Sequence, residues 1–593
     1  MLWQRHAVRL TPLPCVAPAP YMKAVARFDA RRRVKLEKQT PPATVIDDAH
    51  AALARGDWEE ARLRFDRATR ETPSGEAWEG FAIATSYLDE GDVSLAAREE
   101  AFRRYREAGN ALGAARCAGW LANDVMEFRG DPAIANGWIQ RAQSILADTP
   151  GPSAEGALLL ALRAHMTLLG ENDAVAARRL CDQAIALSRQ CGAVDPEMIA
   201  LSVCGLAMVT QGHVAEGMSR LDEATTAAVA GEMHDPSLIA TACCILIHAC
   251  EQVRDYSRAG QWCERVRALA DRWRMGSFFV ICRTQYAAIL MSRGDLTAAE
   301  RELDAALRHA ETRRPALMRG ALVRLGELRR RQGRLEEADE LFQRMGANPF
   351  AVLGRAELAL ERERAVDAVD LLEGLLRRIP PDLRAERIRT LEVATRAYVA
   401  CRRFDDAQHM IDQLAPLSEM VGTEPLRAAL AAARGMLFSA LGERSEARHA
   451  LEEAIGLYET GEERYELART HVELAKVLSA LGKRAPAMTE ASAAAQMFST
   501  MGAALEARNA AALERRLAGG TRRRGVPAAG ALSARELEVL RLVADGAGDK
   551  TIAKRLRLSE HTVHRHISNI LRKLNVSSRA AAVAHAARRQ LLS

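Results

Sequence analysis

From about residue 45 to residue 518, apolar residues recur at three- and four-residue spacing with polar residues between them. This is the pattern of amphipathic helices. A short turn, often Gly-Asp or similar, punctuates it at Gly56, Gly91, Gly130, Gly170, Gly212, Arg254, Gly294, Gly333, Arg364, Arg402, Gly442 and Gly482. The marks lie about 39 residues apart on average, a helical-repeat period. Gly suits the mark because it can take a positive φ after a helix. An Ala stands five residues after most marks (Ala61, Ala96, Ala135, Ala259, Ala299, Ala338, Ala407, Ala447, Ala487), where a small side chain lets two helices cross closely. Larger residues such as Phe65, Leu303 and Leu451 follow about a turn later. Each period is predicted to be two antiparallel helices whose stacking buries their shared faces.

The pattern changes near the C-terminus. Residues 519–530 are rich in Gly, Arg, Pro and Ala and are predicted to be a flexible linker. Residues 531–593 carry four short helical patterns. Ser533 with Glu536 reads as a capping box, and Leu537, Leu540, Val543 and Ala544 as the buried face of the first helix. Asp549 is predicted to cap the second helix, and Ile552, Ala553 and Leu556 to face inward. A turn at Arg557-Leu558 leads to Ser559, the expected N-cap of a third helix. There Val563, Ile567, Ile570, Leu571 and Leu574 form an inner stripe. Ser577 is expected to cap a last helix reaching about Leu591. Two helices joined by a tight turn, the second apolar inside and polar-basic outside, make a helix-turn-helix.

Charge supports a polyanion as partner. Thr521–Ser593 holds 15 Lys and Arg against 5 Asp and Glu, and residues 1–40 hold 9 against 2. With +6 overall, the middle of the chain is left at −11. An acidic body with a compact basic end is the footprint of a nucleic-acid-binding domain. On the third helix, His561, His564, Arg565, Ser568 and Asn569 are the candidates for base edges in the major groove. Lys550, Thr562, Arg572 and Lys573 are placed to hold phosphates, which sets register without reading sequence.

Two resemblances add to this. Segments such as Gly294–Ala310 and Gly442–Tyr458 resemble the tetratricopeptide family, with a longer period than that family's usual one. Leu532–Leu540, Ile552-Ala553, Leu558-Ser559, Thr562-Val563, His566–Ile570, Lys573–Val576 and Ser578-Arg579 together resemble the LuxR-type DNA-binding domain. That resemblance implies a four-helix domain that binds double-stranded DNA, pairs as a homodimer through its last helix and regulates transcription, with RNA polymerase as a candidate partner. Gly548-Asp549-Lys550-Thr551 departs from the family pattern, which is expected to weaken one phosphate contact, and His564 departs from it too, so base preference is expected to differ and to vary with pH. Many large LuxR-type regulators carry an ATPase module, but no GxxxxGK[ST] occurs here.

Other chemistry is weakly signalled. No apolar run approaches a membrane span, and an enzyme, a cofactor and a metal site are not expected. The eleven cysteines lack a repeated CxxC spacing and read as reduced intracellular thiols, which places the protein in the cytoplasm. Eight of them lie between Cys181 and Cys282, where Cys244 and His248 could hold a soft metal, although buried packing explains them more simply. Six of seven tryptophans lie between Trp58 and Trp273 and read as helix-seam residues before ligand-groove residues. Glu452-Glu453 reads as a solvated face. Residues 1–44 read as a disordered or mis-started segment, with Met22 as an alternative start. The expected protein is all-α: a tetratricopeptide-like solenoid at 45–518 that senses or docks an unknown protein, peptide or small-molecule effector, then a DNA reader at 531–593. The alternative is a repeat scaffold whose C-terminal domain binds protein, or nucleic acid without specificity.

Overall fold

The computed structural model describes residues 45–273, 280–313, 315–519, 532–574 and 576–588. Residues 1–44 and the linker after Gly519 lie outside the described residues, as does the end of the last helix expected to reach Leu591. The described residues form 29 α-helices and no strand. From Val45–Arg55 to Ala504–Gly519 each helix packs on the next, and alternate helices also touch, which is the stacking of a solenoid.

Left-handed residues set the repeat. Nine of the marks predicted from sequence have positive φ, including Arg254 and Arg402 (both 59°). At Gly91, Gly170 and Arg364 the left-handed residue is instead Asp89, Asn172 or Glu363. With those corrections a small buried residue stands five positions later in every unit: Ser94 replaces the exposed Ala96, and Ala177, Ala368 and Gly217 complete the series. Ser94 also donates from Oγ to the Ala82 carbonyl at 2.9 Å, tying one helix to its neighbour. The small residue matters most at Gly217, where an added Cβ would lie 2.6 Å from the Gly205 carbonyl oxygen.

The solenoid is wound tightly enough that its turns touch. Val194–Gln211 packs on Arg384–Ala400, Val280–Ser292 on Arg464–Ala480, and Pro315–Gln332 on Ala504–Gly519, each ten described helices further on. Arg254 joins two turns through both carboxylate oxygens of Glu392, at 2.6 Å each. Thr423 Oγ1 donates to the Val253 carbonyl at 2.7 Å. Gly212, at φ 98°, is needed twice over: for its left-handed backbone, and because a Cβ would strike Met420 from the next turn.

Two sequence expectations change. Cys244 and Cys282 are joined as a disulfide across a Cα–Cα distance of 5.0 Å, so not all cysteines are free thiols, and Cys244 is unavailable as a metal ligand beside His248. The neighbouring Cys243 thiol is pushed up to about 12 by burial. Pro236–Val253 is long and apolar enough to cross a membrane by length and composition, and it is mostly buried among its neighbouring repeats. Its apolarity follows from being covered on nearly every side. Trp58 and Trp138 sit at helix seams as expected: Trp58 lies on Tyr87 with centroids 4.3 Å apart, and Trp138 meets Phe102 edge-on at 5.3 Å.

Candidate nucleic-acid interface

The C-terminal domain folds from Ala534–Ala544, Asp549–Leu556, Glu560–Leu574 and Arg579–Arg588. Ser533 and Glu536 form the expected capping box. Glu536 also accepts from Lys573 Nζ at 2.7 Å, fastening the first helix to the third. The buried face of the first helix is rotated from the one predicted. Val539 and Leu540 are buried, whereas Leu537 is half-buried and Ala544 exposed, because Glu536 turns inward toward Lys573. Gly548, not Asp549, is the N-cap of the second helix, and Asp549 instead makes a two-pronged pair with Arg579 at 2.7 and 2.8 Å. Arg557 takes a left-handed φ of 53° to make the turn, and Ser559 Oγ accepts the Thr562 amide at 3.0 Å. Ser578, not Ser577, caps the last helix, accepting from the Ala581 amide at 3.2 Å. The inner stripe Val563, Ile567, Ile570 and Leu574 is buried as predicted, with Leu571 half-buried.

The outer face of the third helix divides in two. His564 and Ser568 are open to solvent, as are Lys550, Arg572 and Lys573. Asn569 is half-buried and its Oδ1 accepts from Arg572. The N-terminal half lies instead on the solenoid helices Arg444–Thr460 and Arg484–Met501. Thr562, only 2% exposed, donates from Oγ1 to Glu452 at 2.8 Å. Arg565 pairs with Glu490 at 2.9 Å and with Glu452 at 3.7 Å. His561 stands 3.5 Å from Glu459 and fills the hollow over Gly456, where a Cβ would lie 2.5 Å from its ring. His471 adds a second contact to Glu490 at 2.7 Å.

Two of these carboxylates, Glu490 and Glu459, are held in their charged form. Burial pushes the Glu490 carboxyl up, but Arg565 and His471 outweigh it and hold it below the usual carboxylate range. The contact with His561 lowers Glu459 likewise. His566, beside this contact, is pushed down to about 4 by burial and by Arg565, and so is neutral near pH 7. Three acidic side chains thus cover Thr562, Arg565 and His561, which the sequence offers as candidates for phosphates and base edges.

The family profile "Bacterial regulatory proteins, luxR family" matches residues 530–586. The profile "MalT-like TPR region" matches residues 157–457, about half the chain. The chain belongs to the family with a MalT-like TPR region, and its C-terminal domain is of the luxR family. The "Probable transcriptional regulatory protein NarL" of Mycobacterium tuberculosis is 49% identical over 76 residues, 13% of this chain and 35% of that protein. The "Nitrate/nitrite response regulator protein NarP" of Escherichia coli is 57% identical over 51 residues, 9% of this chain and 24% of that protein. The chain therefore spans about a third or less of the length of these curated relatives. A solved Rap protein complexed with competence and sporulation factor is 13% identical, covering 69% of this chain and all of that one, with a TM-score of 0.36 too low to build on.

In this luxR-family chain, the sequence places the third helix and its outer face but not what lies against them. Glu452 is not on a solvated face: it is 4% exposed and holds Thr562. Glu459 and Glu490 were not singled out at all. Their signal is faint, because a carboxylate on an amphipathic helix looks the same in sequence whether it meets water or a docked arginine.

Proposed function

We propose that the protein is a sequence-specific DNA-binding transcriptional regulator acting in the cytoplasm, whose repeat solenoid is a sensor that withholds the reader. The luxR-family domain supports DNA as the partner, and the basic charge of the C-terminal segment agrees. The observation that carries the sensor reading is the pairing of Arg565 with Glu490 and Glu452. Arg565 is the side chain best suited to bond a guanine at O6 and N7, and here it is spent on the solenoid. An effector that favours a solenoid shape without this contact would free the third helix. His564, Ser568 and Asn569 would then read bases beside Arg565 and His561, with Lys550, Thr562, Arg572 and Lys573 on phosphates. The last helix, Arg579–Arg588, would pair two copies on a two-fold site.

The test is selection of genomic DNA fragments by the full chain, beside the Glu452→Gln/Glu490→Gln double variant. An enriched two-fold-related motif, stronger for the variant, supports both halves of the reading. Binding that is salt-sensitive but enriches no motif in either protein removes the sequence-reading role and favours the scaffold alternative.

A further inference from the structure

Inside the solenoid, walled by Pro236–Val253, Pro315–Gln332, Pro349–Glu361 and Arg384–Ala400, lies a cavity of about 540 Å³. That is within the range of roughly 300–1,000 Å³ that small-molecule sites occupy. Much of its wall is apolar, with Met291, Val323, Leu353, Leu375 and Ile379 among the lining residues. Its charged side chains are not all paired. Five arginines line it against four glutamates. Three of the glutamates are already committed: Glu251 to Arg324, Glu327 to Arg331 at 2.6 Å, and Glu357 to Arg330 and, at 3.5 Å, Arg396. The carboxyl of the fourth, Glu386, is pushed up by burial, although the residue is exposed.

Arg389 is left over. Half-buried in the wall, it makes no hydrogen bond or ion pair among the described residues. Arg254 is close enough to repel it, and Arg254 Nη1 lacks a hydrogen-bond partner. Glu357, Glu327 and Glu466 lie near enough to favour its charge, but none of them hydrogen-bonds its planar fork, whose donors face the cavity unmet. A bidentate anion would supply the two parallel hydrogen bonds that the protein leaves unmade on the fork of Arg389. His248 Nδ1 and Glu251 Oε2 also lack partners, and they leave the cavity further polar groups to orient a ligand.

We propose that this cavity is the effector site and takes a small organic anion, a carboxylate or phosphate ester with an apolar body, its head on Arg389 and its body against Leu353 and Ile379. This rests on the sensor reading for its consequence, but not for the binding itself. The walls belong to helices of successive repeats, so filling the cavity adjusts their spacing, and the acidic patch that holds Arg565 lies on helices further along the same stack.

The test is calorimetric titration of the full chain with phenylbutanoate, its neutral amide, phenyl phosphate and inorganic phosphate. One saturable site is expected for phenylbutanoate or for phenyl phosphate, and whichever binds identifies the head group. The amide, and the Arg389→Met variant with the acid, should each bind at least about tenfold more weakly. Leu353→Trp, which fills the cavity and leaves the charges alone, should abolish binding and guards against misfolding of Arg389→Met. The proposal is overturned if neither organic anion saturates, if acid and amide bind alike, or if Arg389→Met binds as the wild type does. DNA affinity is read separately. Arg389-dependent binding that leaves DNA affinity unchanged upholds the site and sinks the sensor reading, whereas failed binding beside a releasable reader does the reverse.

Discussion

Replacing Glu452 and Glu490 by Gln should convert the full chain into a tighter DNA binder. The substitution keeps side-chain volume and removes two negative charges from the face that holds Arg565 and Thr562. Hydrogen bonds to charged groups contribute about 1.5–3 kcal/mol each. Arg565 is 18% exposed, so water screens part of its pair, and Gln can still accept a bond, which argues for the low end. Two such losses, about 3 kcal/mol together, would shift the docked-to-free ratio of the reader by on the order of a hundredfold. The gain seen in DNA affinity is capped by how completely the reader is docked at the start. A rise of at least about tenfold is therefore the expected result, read by fluorescence anisotropy on a selected fragment at fixed salt. Salt gives a second reading. Wild-type affinity should fall less steeply with salt than that of the variant, because salt loosens the clamp while it weakens the DNA contact. Equal affinities and equal salt slopes, with amide exchange showing both proteins folded, would refute the reasoning.

Three further outcomes follow from the same geometry. Gly456→Ala adds no charge and improves helix propensity by about 0.5–1 kcal/mol, yet its Cβ would lie 2.5 Å from the His561 ring; DNA affinity should rise with no loss of thermal stability, and unchanged affinity would mean the contact at that point is slack. Because the Glu490 and Glu459 carboxyls are held below their ordinary value of 4.5, their contribution to docking is complete above that value and is lost as pH falls below it; amide exchange across Glu560–Leu574 should accelerate there in the wild type, relative to the rest of the chain, and should already be fast near pH 7 in the double variant. Gly217→Ala should destabilise the solenoid by roughly 1–3 kcal/mol through its collision with the Gly205 carbonyl, seen as a lower denaturation midpoint, although Ala is the residue found at the equivalent place in most other repeats.

The amino-acid sequence by itself determined the repeat, the helix-turn-helix and which face of the third helix is apolar. Each is written locally, as a period of apolar residues, a small residue five positions after a turn, a capping Ser or a stripe such as Val563, Ile567, Ile570 and Leu574. Where that reading slipped, a second residue competed for the same local role. Asp89 and not Gly91 took the left-handed turn, Ser578 and not Ser577 the cap, and Asp549 left its cap to pair with Arg579. Only the tertiary structure decided what lies far away in the chain and a few ångströms away in space. Arg254 on Glu392, Cys244 on Cys282, the isolation of Arg389 in its cavity and Thr562 on Glu452 all depend on the small rotation from each helix to the next, summed over many repeats. No short window of sequence carries that sum, so a glutamate that meets a recognition helix is indistinguishable there from one that meets water.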